Sequence, residues 1–133
     1  MRGHLSRGRN ILKKAVRNAN ELLPLTPAVF HILLALADKE RHGYHIMQEV
    51  ESRTLGETRL GPGTLYGSIK RLLRDGLIEE AEERPDPELD DERRRYYRLT
   101  DFGYRVATAE AKRLAHLVKA ARAVSLLPKT QSG

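Results

Sequence analysis

The 133-residue sequence contains no cysteine and no tryptophan, and only 5% of its residues are aromatic. Without cysteine the chain has no disulfide framework, no thiolate metal site and no thiol switch. The longest apolar stretch, residues 29–37, is interrupted by His31 and is far shorter than the roughly 20 residues that a membrane-spanning helix needs. The first residues also lack the apolar run of a secretion signal. We therefore expect a cytoplasmic protein.

What the sequence has in excess is positive charge. It contains 24 Lys and Arg against 18 Asp and Glu, which gives a net charge of +6 and an isoelectric point near 9.8. Such a balance favours a polyanionic partner, with nucleic acid as the first candidate. The charge is unevenly distributed, because residues 79–98 hold nine acids and five arginines. That segment carries −4, so the rest of the chain carries +10.

The apolar periodicity predicts an ordered series of elements. A basic, flexible arm at residues 1–9 precedes an amphipathic helix at residues 10–23, and Pro24 ends that helix. Thr26 and Pro27 then begin the first body helix, a second helix follows Gly43, and a third runs from residue 62 to 75, where Gly76 ends it. The connection at residues 54–61 allows a very short strand at residues 59 and 60.

The second half of the chain predicts a hairpin and one long helix. Two short segments with strand character, residues 77–81 and 93–100, flank a loop that contains two prolines. Thr100 or Asp101 then caps a final helix of about two dozen residues. We predict a mainly α protein with a small β hairpin, in which a winged helix-turn-helix domain spans residues 25–100. Around it lie the arm and short helix (1–24), a C-terminal dimerisation helix (101–126) and a flexible tail (127–133).

The third predicted helix has one apolar face and one basic face. Leu65, Ile69 and Leu72 fall at the spacing of a single helical face. The remaining surface and its flanks carry small, polar and basic residues, namely Gly63, Thr64, Tyr66, Gly67, Lys70, Arg71 and Arg74. Glycine lets the helix backbone approach phosphates while cations reach phosphates or guanine edges, so we predict that this helix enters a groove of duplex DNA. An ordinary solvated basic face would give the same pattern.

Two features near that helix leave alternatives open. The hydroxyl of Tyr66 can donate to a phosphate, or its ring can pack against the hairpin. In the hairpin, we expect the acids at residues 79–83 to pair across the strands with arginines of the second strand. Arg94 and Arg95 are then the candidate DNA contacts of the wing, unless they serve only to balance their acidic neighbours.

Several segments resemble the PadR family of transcriptional regulators. The most diagnostic are Gly-Thr-Leu-Tyr at residues 63–66 and Arg-Tyr-Tyr-Arg-Leu-Thr at residues 95–100, supported by segments 25–36, 42–44, 61–62 and 75–78 and by Gly103. The resemblance covers about residues 25–120. It implies a winged-helix dimer, usually a repressor of a nearby operon that a small effector often releases. The acidic wing loop and the basic extension before residue 25 depart from the family's better-studied members.

The final helix has the spacing of a helix–helix seam. Ala107, Ala111, Leu114, Val118 and Ala121 alternate at intervals of four and three residues, and Leu117 widens the stripe. Packing against the chain's own body is the alternative, but we expect that body to end near Tyr104. The pattern therefore favours a homodimer, which would present two recognition helices about 34 Å apart to an inverted-repeat operator.

Other functional classes have weaker support. The motifs of hydrolases, zinc proteases and phosphate-binding loops are absent, so we do not expect an enzyme, and no cofactor is predicted. His42, His45 and Glu49 are the nearest thing to a metal site, and they lack a third firm ligand. A metal-responsive regulator and a winged-helix module for protein contact remain the alternatives. We expect His31 to be a hydrogen-bonded core or pocket-edge residue and not a catalyst.

Overall fold

A computed structural model describes residues 17–81 and 95–129 of the protein. In chain order, its elements are α1 (Pro27–Ala37), β1 (Arg41–His42), α2 (Gly43–Arg53), α3 (Pro62–Arg74), β2 (Ile78–Ala81), β3 (Tyr96–Leu99) and α4 (Asp101–Ala123). A 3-10 helix, Ala19–Leu22, precedes α1. The three strands form one antiparallel sheet in the order β1-β3-β2. This architecture confirms the predicted winged helix-turn-helix fold.

Helix α1 is the centre of the core. The Thr26 hydroxyl accepts a hydrogen bond from the Val29 amide at 3.2 Å, and Pro27 occupies the first turn, so the predicted cap is confirmed. Ile32 and Leu33 are fully buried. Around them pack apolar side chains from every other layer: Ile46, Val50, Leu60, Leu65, Ile69, Leu72, Leu77, Ile78, Tyr97, Phe102 and Val106.

The sheet contains the predicted hairpin and a third strand that the sequence did not reveal. Strands β2 and β3 pair with Glu79 opposite Arg98, and β1 adds to the other edge of β3. The structure has no strand at residues 59 and 60, so that prediction is wrong. Residues 54–57 instead form a turn and residues 58–61 have no regular structure, and the Thr54 hydroxyl accepts a hydrogen bond from the Thr58 amide at 3.0 Å. Leu60 enters the core without strand pairing.

The segment before α1 is less helical than predicted. Residues 10–16 lie outside the described part of the chain, and the helix predicted to continue to residue 23 is wrong at its C-terminal end. Asn18 has an extended backbone, and its side chain accepts a hydrogen bond from the Asn20 amide at 2.9 Å. An asparagine that caps in this way starts a new turn. The result is the short 3-10 helix, which packs against α4.

Helix α4 begins as predicted and differs further along. The Thr100 hydroxyl caps it by accepting from the Gly103 amide at 2.9 Å. The helix ends at Ala123, three residues earlier than expected, because Ser125 has a positive φ of 65° that a helix does not allow. Contact with the body does not end near Tyr104, since Ala107 packs against the core and Glu110 is buried. No helix in residues 17–81 or 95–129 is long and apolar enough to cross a membrane.

Candidate nucleic-acid interface

The core fixes which face of α3 is turned outward. Leu65, Ile69 and Leu72 are buried beneath the helix, as the spacing predicted. The other predicted positions lie on the opposite side: Gly63, Thr64, Lys70, Arg71 and Arg74 are exposed, and Gly67 is half-buried. The structure therefore brings one continuous surface of small and basic residues together along α3. We call this surface, residues 63, 64, 67, 70, 71 and 74, the α3 face.

The glycines of the α3 face are not explained by the chain's own packing. Apart from the adjacent residues and the helix's own backbone, no atom of residues 17–81 or 95–129 lies within 4 Å of where a Cβ on Gly63 would sit, and on Gly67 the nearest is Nη1 of Arg71 at 3.8 Å. Neither glycine has a positive φ. By contrast, Gly76 has a φ of +79° at the end of α3, which a side chain would strain. The two open glycines leave the helix backbone accessible to a large partner.

In the part of the chain that the structure describes, two of the three cations on the α3 face have no carboxylate partner. Within the described residues Lys70 has no ion-pair partner, and Arg71 donates to the Ser68 hydroxyl at 3.2 Å. Arg74 is different, because its Nε donates to Asp75 at 3.1 Å and this hydrogen bond raises the pKa of the guanidinium. Lys70 and Arg71 are thus the cations best placed to meet phosphates or base edges.

The side chain of Tyr66 packs within the protein, against α2. A Cβ on Gly43 would sit 2.7 Å from the Tyr66 hydroxyl oxygen and 2.9 Å from its Cε1, so the phenol ring lies directly on the first residue of α2. This contact packs α3 against the start of α2. The ring of Tyr66 therefore packs on α2, a partner that neither alternative named, and a hydrogen bond from its hydroxyl to a phosphate stays a prediction.

The predicted pairing of acids and arginines across the wing is confirmed where the chain is described. Arg98 Nε lies 3.3 Å from Glu79, and Arg95 Nη1 lies 3.6 Å from Glu80. All four side chains are half exposed or more, so such pairs contribute little to stability. Arg95 can therefore exchange its carboxylate for a phosphate at small cost. Arg94 lies outside the described residues.

The histidines proposed for a metal site have other partners. His42 is buried, its Nδ1 accepts from the His45 amide at 3.2 Å, and its ring stacks on that of His45 at 3.8 Å between centroids. Glu49 pairs with Arg53 at 2.6 Å and with Arg41 at 3.7 Å. In the part of the chain that the structure describes, no group of three or more His, Asp or Glu side chains is arranged to hold a metal ion.

Sequence reasoning missed a buried carboxylate on α4. Glu110 is almost fully buried, accepts from the Leu25 amide at 2.8 Å and pairs with Arg113. The hydrogen bond from Arg113 lowers the pKa of the Glu110 carboxyl, and the Leu25 amide and the Arg113 charge act in the same direction against the effect of burial. The Glu110 carboxylate therefore links Leu25, which directly precedes the N-cap residue of α1, to α4. Its signal in the sequence was an acid inside the apolar stripe between Ala107 and Leu114.

The predicted seam residues divide into two groups along α4. Ala107, Leu114 and Ala121 are half-buried, and Ala107 contacts the chain's own core. Ala111, Leu117 and Val118 are exposed, the last two by 54% and 38%. The exposed large apolar members of the stripe, Leu117 and Val118, thus lie in the C-terminal half of α4.

Comparison with known proteins identifies the family of this chain. Residues 32–109 match the transcriptional regulator PadR-like family. The transcriptional regulator Rv3488 of Mycobacterium tuberculosis is 37% identical over 89 residues, which are 67% of this chain and 77% of that protein. An uncharacterized 37.1 kDa protein in transposon TN4556 of Streptomyces fradiae is 37% identical over 86 residues, and the match spans only 22% of its length.

Solved structures agree with the sequence relatives. A PadR family transcription regulator from Clostridium difficile R20291 superposes with a TM-score of 0.58 at 25% identity, covering 72% of this chain and 95% of that one. The family match spans more than half of the chain, from the second turn of α1 into α4. The chain therefore belongs to the PadR-like family of transcriptional regulators and is not an enzyme.

Proposed function

We propose that this protein is a repressor that binds duplex DNA as a homodimer, with α3 of each protomer in the major groove of one half of an inverted-repeat operator. The observation that carries this proposal is the α3 face. Its glycines are open although neither the core nor the backbone requires glycine there, and Lys70 and Arg71 flank them without a carboxylate partner among the described residues. A close-fitting polyanion accounts for both features.

The α3 face and the wing have different roles in DNA binding. Lys70 or Arg71 reaches a base edge, because a helix that lies deep in the groove brings its central side chains to the bases. Thr64, in the first turn, and Arg74, once released from Asp75, contact phosphates. Arg95 of the wing also contacts phosphate, as does Arg94 by its position in the sequence. Such contacts position the protein and do not specify the sequence.

The long helix supports a homodimer. Helix α4 has 23 residues and is therefore about 34 Å long, and its C-terminal half carries Leu117 and Val118 as exposed apolar side chains. Two such stripes packed around a two-fold axis bury each other. The same symmetry sets two copies of α3 about one helical turn of DNA apart, which is why the operator should be an inverted repeat.

A cavity beside that helix supports release by a small effector. Its volume is about 240 Å³, and its walls include Pro27, Phe30, His31, Arg113 and Leu114. Among the described residues, His31 Nδ1 is the buried side-chain nitrogen or oxygen that lacks a hydrogen-bond partner, so the hydrogen bond expected for His31 is not made at this atom. A molecule held there touches α1 and α4 together, so it can change the angle between the DNA-binding domains of the dimer. His31→Phe should abolish effector-induced release without weakening operator binding.

Selection of bound fragments from the source genome tests the proposal. The protein should enrich a few fragments that share an inverted repeat with half-sites about 10 base pairs apart, and footprinting should protect both halves. Transcription from a promoter that contains the repeat should fall when the protein is added. Enrichment no greater than that of random duplex would contradict the proposal and would favour a module for protein contact.

A further inference from the structure

A groove lies between the 3-10 helix and α4, on a side of the molecule that the proposed function does not use. Its volume is about 680 Å³, within the range of roughly 300 to 1,000 Å³ that is usual for small-molecule sites. It is separate from the cavity beside His31, with which it shares Arg113 alone as a lining residue. The groove is therefore large enough to hold an organic ligand.

The floor of the groove is apolar. Ala19 and Leu23 are half-buried against the core on one side, and Ala109 of α4 is half-buried on the other. Binding sites for organic molecules have such walls, with a few polar groups that fix the orientation of the ligand. The floor favours a ligand with an apolar body over a bare hydrated ion.

One edge of the groove carries hydrogen-bond donors. Arg105, Thr108 and Lys112 follow each other along α4 at intervals of three and four residues, so they lie on one face of the helix, and all three are exposed. We call these three residues the donor stripe. Arginine and lysine only donate hydrogen bonds, and the threonine hydroxyl can donate as well. The donor stripe is therefore suited to a group that accepts several hydrogen bonds at once.

The charge of the groove matches a dianion. Among the residues that the structure describes, Arg105 and Lys112 form no ion pair, whereas Arg113 is paired with Glu110. Two positive charges are thus left without a carboxylate partner. A phosphate monoester carries close to two negative charges near pH 7 and three acceptor oxygens, whereas a carboxylate carries one charge and two oxygens. The donor stripe therefore favours phosphate.

A further cation adds positive potential at the start of the donor stripe. The guanidinium carbons of Arg17 and Arg105 lie 4.0 Å and 5.4 Å from the centroid of the same Phe102 ring, whose face attracts both cations. Nη1 of Arg17 donates to the Asp75 carbonyl oxygen at 2.8 Å, and a carbonyl does not neutralise the charge. An anion in the groove is attracted by this cation as well.

The groove lies off the proposed dimer seam. Thr108 and Lys112 directly follow the seam residues Ala107 and Ala111, and one residue step turns the side chain by about 100° around the helix axis. A dimer that buries the seam therefore leaves the donor stripe open to solvent.

We infer that this groove binds a small organic phosphate. The phosphate group of the ligand, a phosphate monoester, meets the donor stripe, and its apolar or aromatic body covers Ala19, Leu23 and Ala109. Arginine and lysine both recognise phosphate through charge-assisted hydrogen bonds. This site goes beyond the proposed function, because it takes a small molecule and does not involve the α3 face.

Calorimetric titration of the full chain, without DNA, tests the inference with phenyl phosphate, inorganic phosphate and phenol as probes. Phenyl phosphate should bind about 10-fold or more tightly than inorganic phosphate, because its ring also covers the apolar floor. Phenol should bind about 10-fold or more weakly than phenyl phosphate, because it lacks the charged acceptor. Phenyl phosphate that does not bind, or that binds no more tightly than either of the other probes, would overturn the inference.

A matched pair of variants at Thr108 locates the binding. Thr108→Glu places a carboxylate about one helical turn from both cations of the donor stripe, so it should lower the affinity for phenyl phosphate about 10-fold or more. Thr108→Gln has nearly the same shape, keeps a donor and adds no charge, so its affinity should stay within about threefold of the unsubstituted protein. Equal affinities in the two variants would refute the assignment to this groove.

Removal of the two cations separates a ligand site from a DNA contact. Arg105→Gln with Lys112→Gln should lower the affinity for phenyl phosphate about 10-fold or more, whereas Lys39→Gln with Lys129→Gln, at exposed positions elsewhere, should change it less than about twofold. On random duplex DNA the two double variants should have the same salt slope. A slope lowered by about two units in the first variant alone would assign these cations to DNA phosphates and would overturn the inference. No operator is present in these experiments, so the proposed function stands or falls separately.

Discussion

Gly103→Ala should destabilise this fold more than its single added methyl group suggests. Gly103 lies in the first turn of α4, where the helix backbone passes directly over the backbone of Leu77. A Cβ there would overlap the Leu77 carbonyl oxygen and would sit 2.7 Å from its carbonyl carbon. The obstacle is main chain, so no side-chain rotation relieves it, and α4 must move away from Leu77.

The loss in free energy of unfolding follows from the interactions that this movement disrupts. The Leu77 carbonyl accepts from the Thr100 amide at 3.1 Å, and the Thr100 hydroxyl donates to the Gly76 carbonyl at 2.6 Å. Overpacking costs roughly 1 to 3 kcal/mol. Each weakened hydrogen bond adds about 1 kcal/mol. We expect a loss of about 3 to 5 kcal/mol, a large share of the roughly 5 to 15 kcal/mol of stability that a single domain has.

Denaturant unfolding followed by circular dichroism measures this loss, at one protomer concentration because a dimer's stability depends on it. Gly67→Ala is the matched control. It adds the same methyl group to a helix at a site with open space, so it should stabilise the protein by about 0.5 to 1 kcal/mol. If Gly103→Ala unfolds within 0.5 kcal/mol of the unsubstituted protein, the close approach of α4 to Leu77 is not a feature of the fold.

Three further predictions concern α4 and the histidines. Leu117→Glu with Val118→Glu places charge in the proposed seam and should give monomers in sedimentation, whereas Lys119→Glu should remain dimeric. Glu110→Gln should cost about 1 to 2 kcal/mol at pH 7. Because the folded-state pKa of Glu110 lies below its ordinary value of 4.5, this difference should be constant above that pH and disappear as the pH falls below it. Titration with zinc, nickel or cobalt should show no sub-micromolar binding that His45→Ala abolishes.

The elements that could be predicted are those with local signals. The cap at Thr26 and the turn at Gly76 each follow from side-chain chemistry within a few residues, and both are confirmed. Strand β1 could not be predicted, because it has two residues and exists only through backbone pairing with Tyr96 and Tyr97 of β3. The turn at Asn18 was missed because an asparagine within an apolar pattern does not reveal whether it caps.

The candidate site divides in the same way. The α3 face follows from the spacing of Leu65 and the other buried residues of that helix, so its membership was predictable. The contacts of Arg17 with Asp75 and of Glu110 with Leu25 join residues 58 and 85 positions apart. Such distant contacts leave no periodic trace, and they depend on how the elements pack.

The central claim is that α3 reads the DNA sequence and the wing contributes charge alone. Its most direct test measures the ratio of affinities for an operator and a scrambled duplex in Lys70→Ala, Arg71→Ala and Arg95→Ala. At least one α3 variant should lose about 1 to 3 kcal/mol of discrimination, which is roughly 5- to 150-fold in the ratio. Arg95→Ala should weaken both duplexes alike and lower the salt slope by about one unit at most. A ratio that collapses in Arg95→Ala while both α3 variants preserve it would contradict the claim.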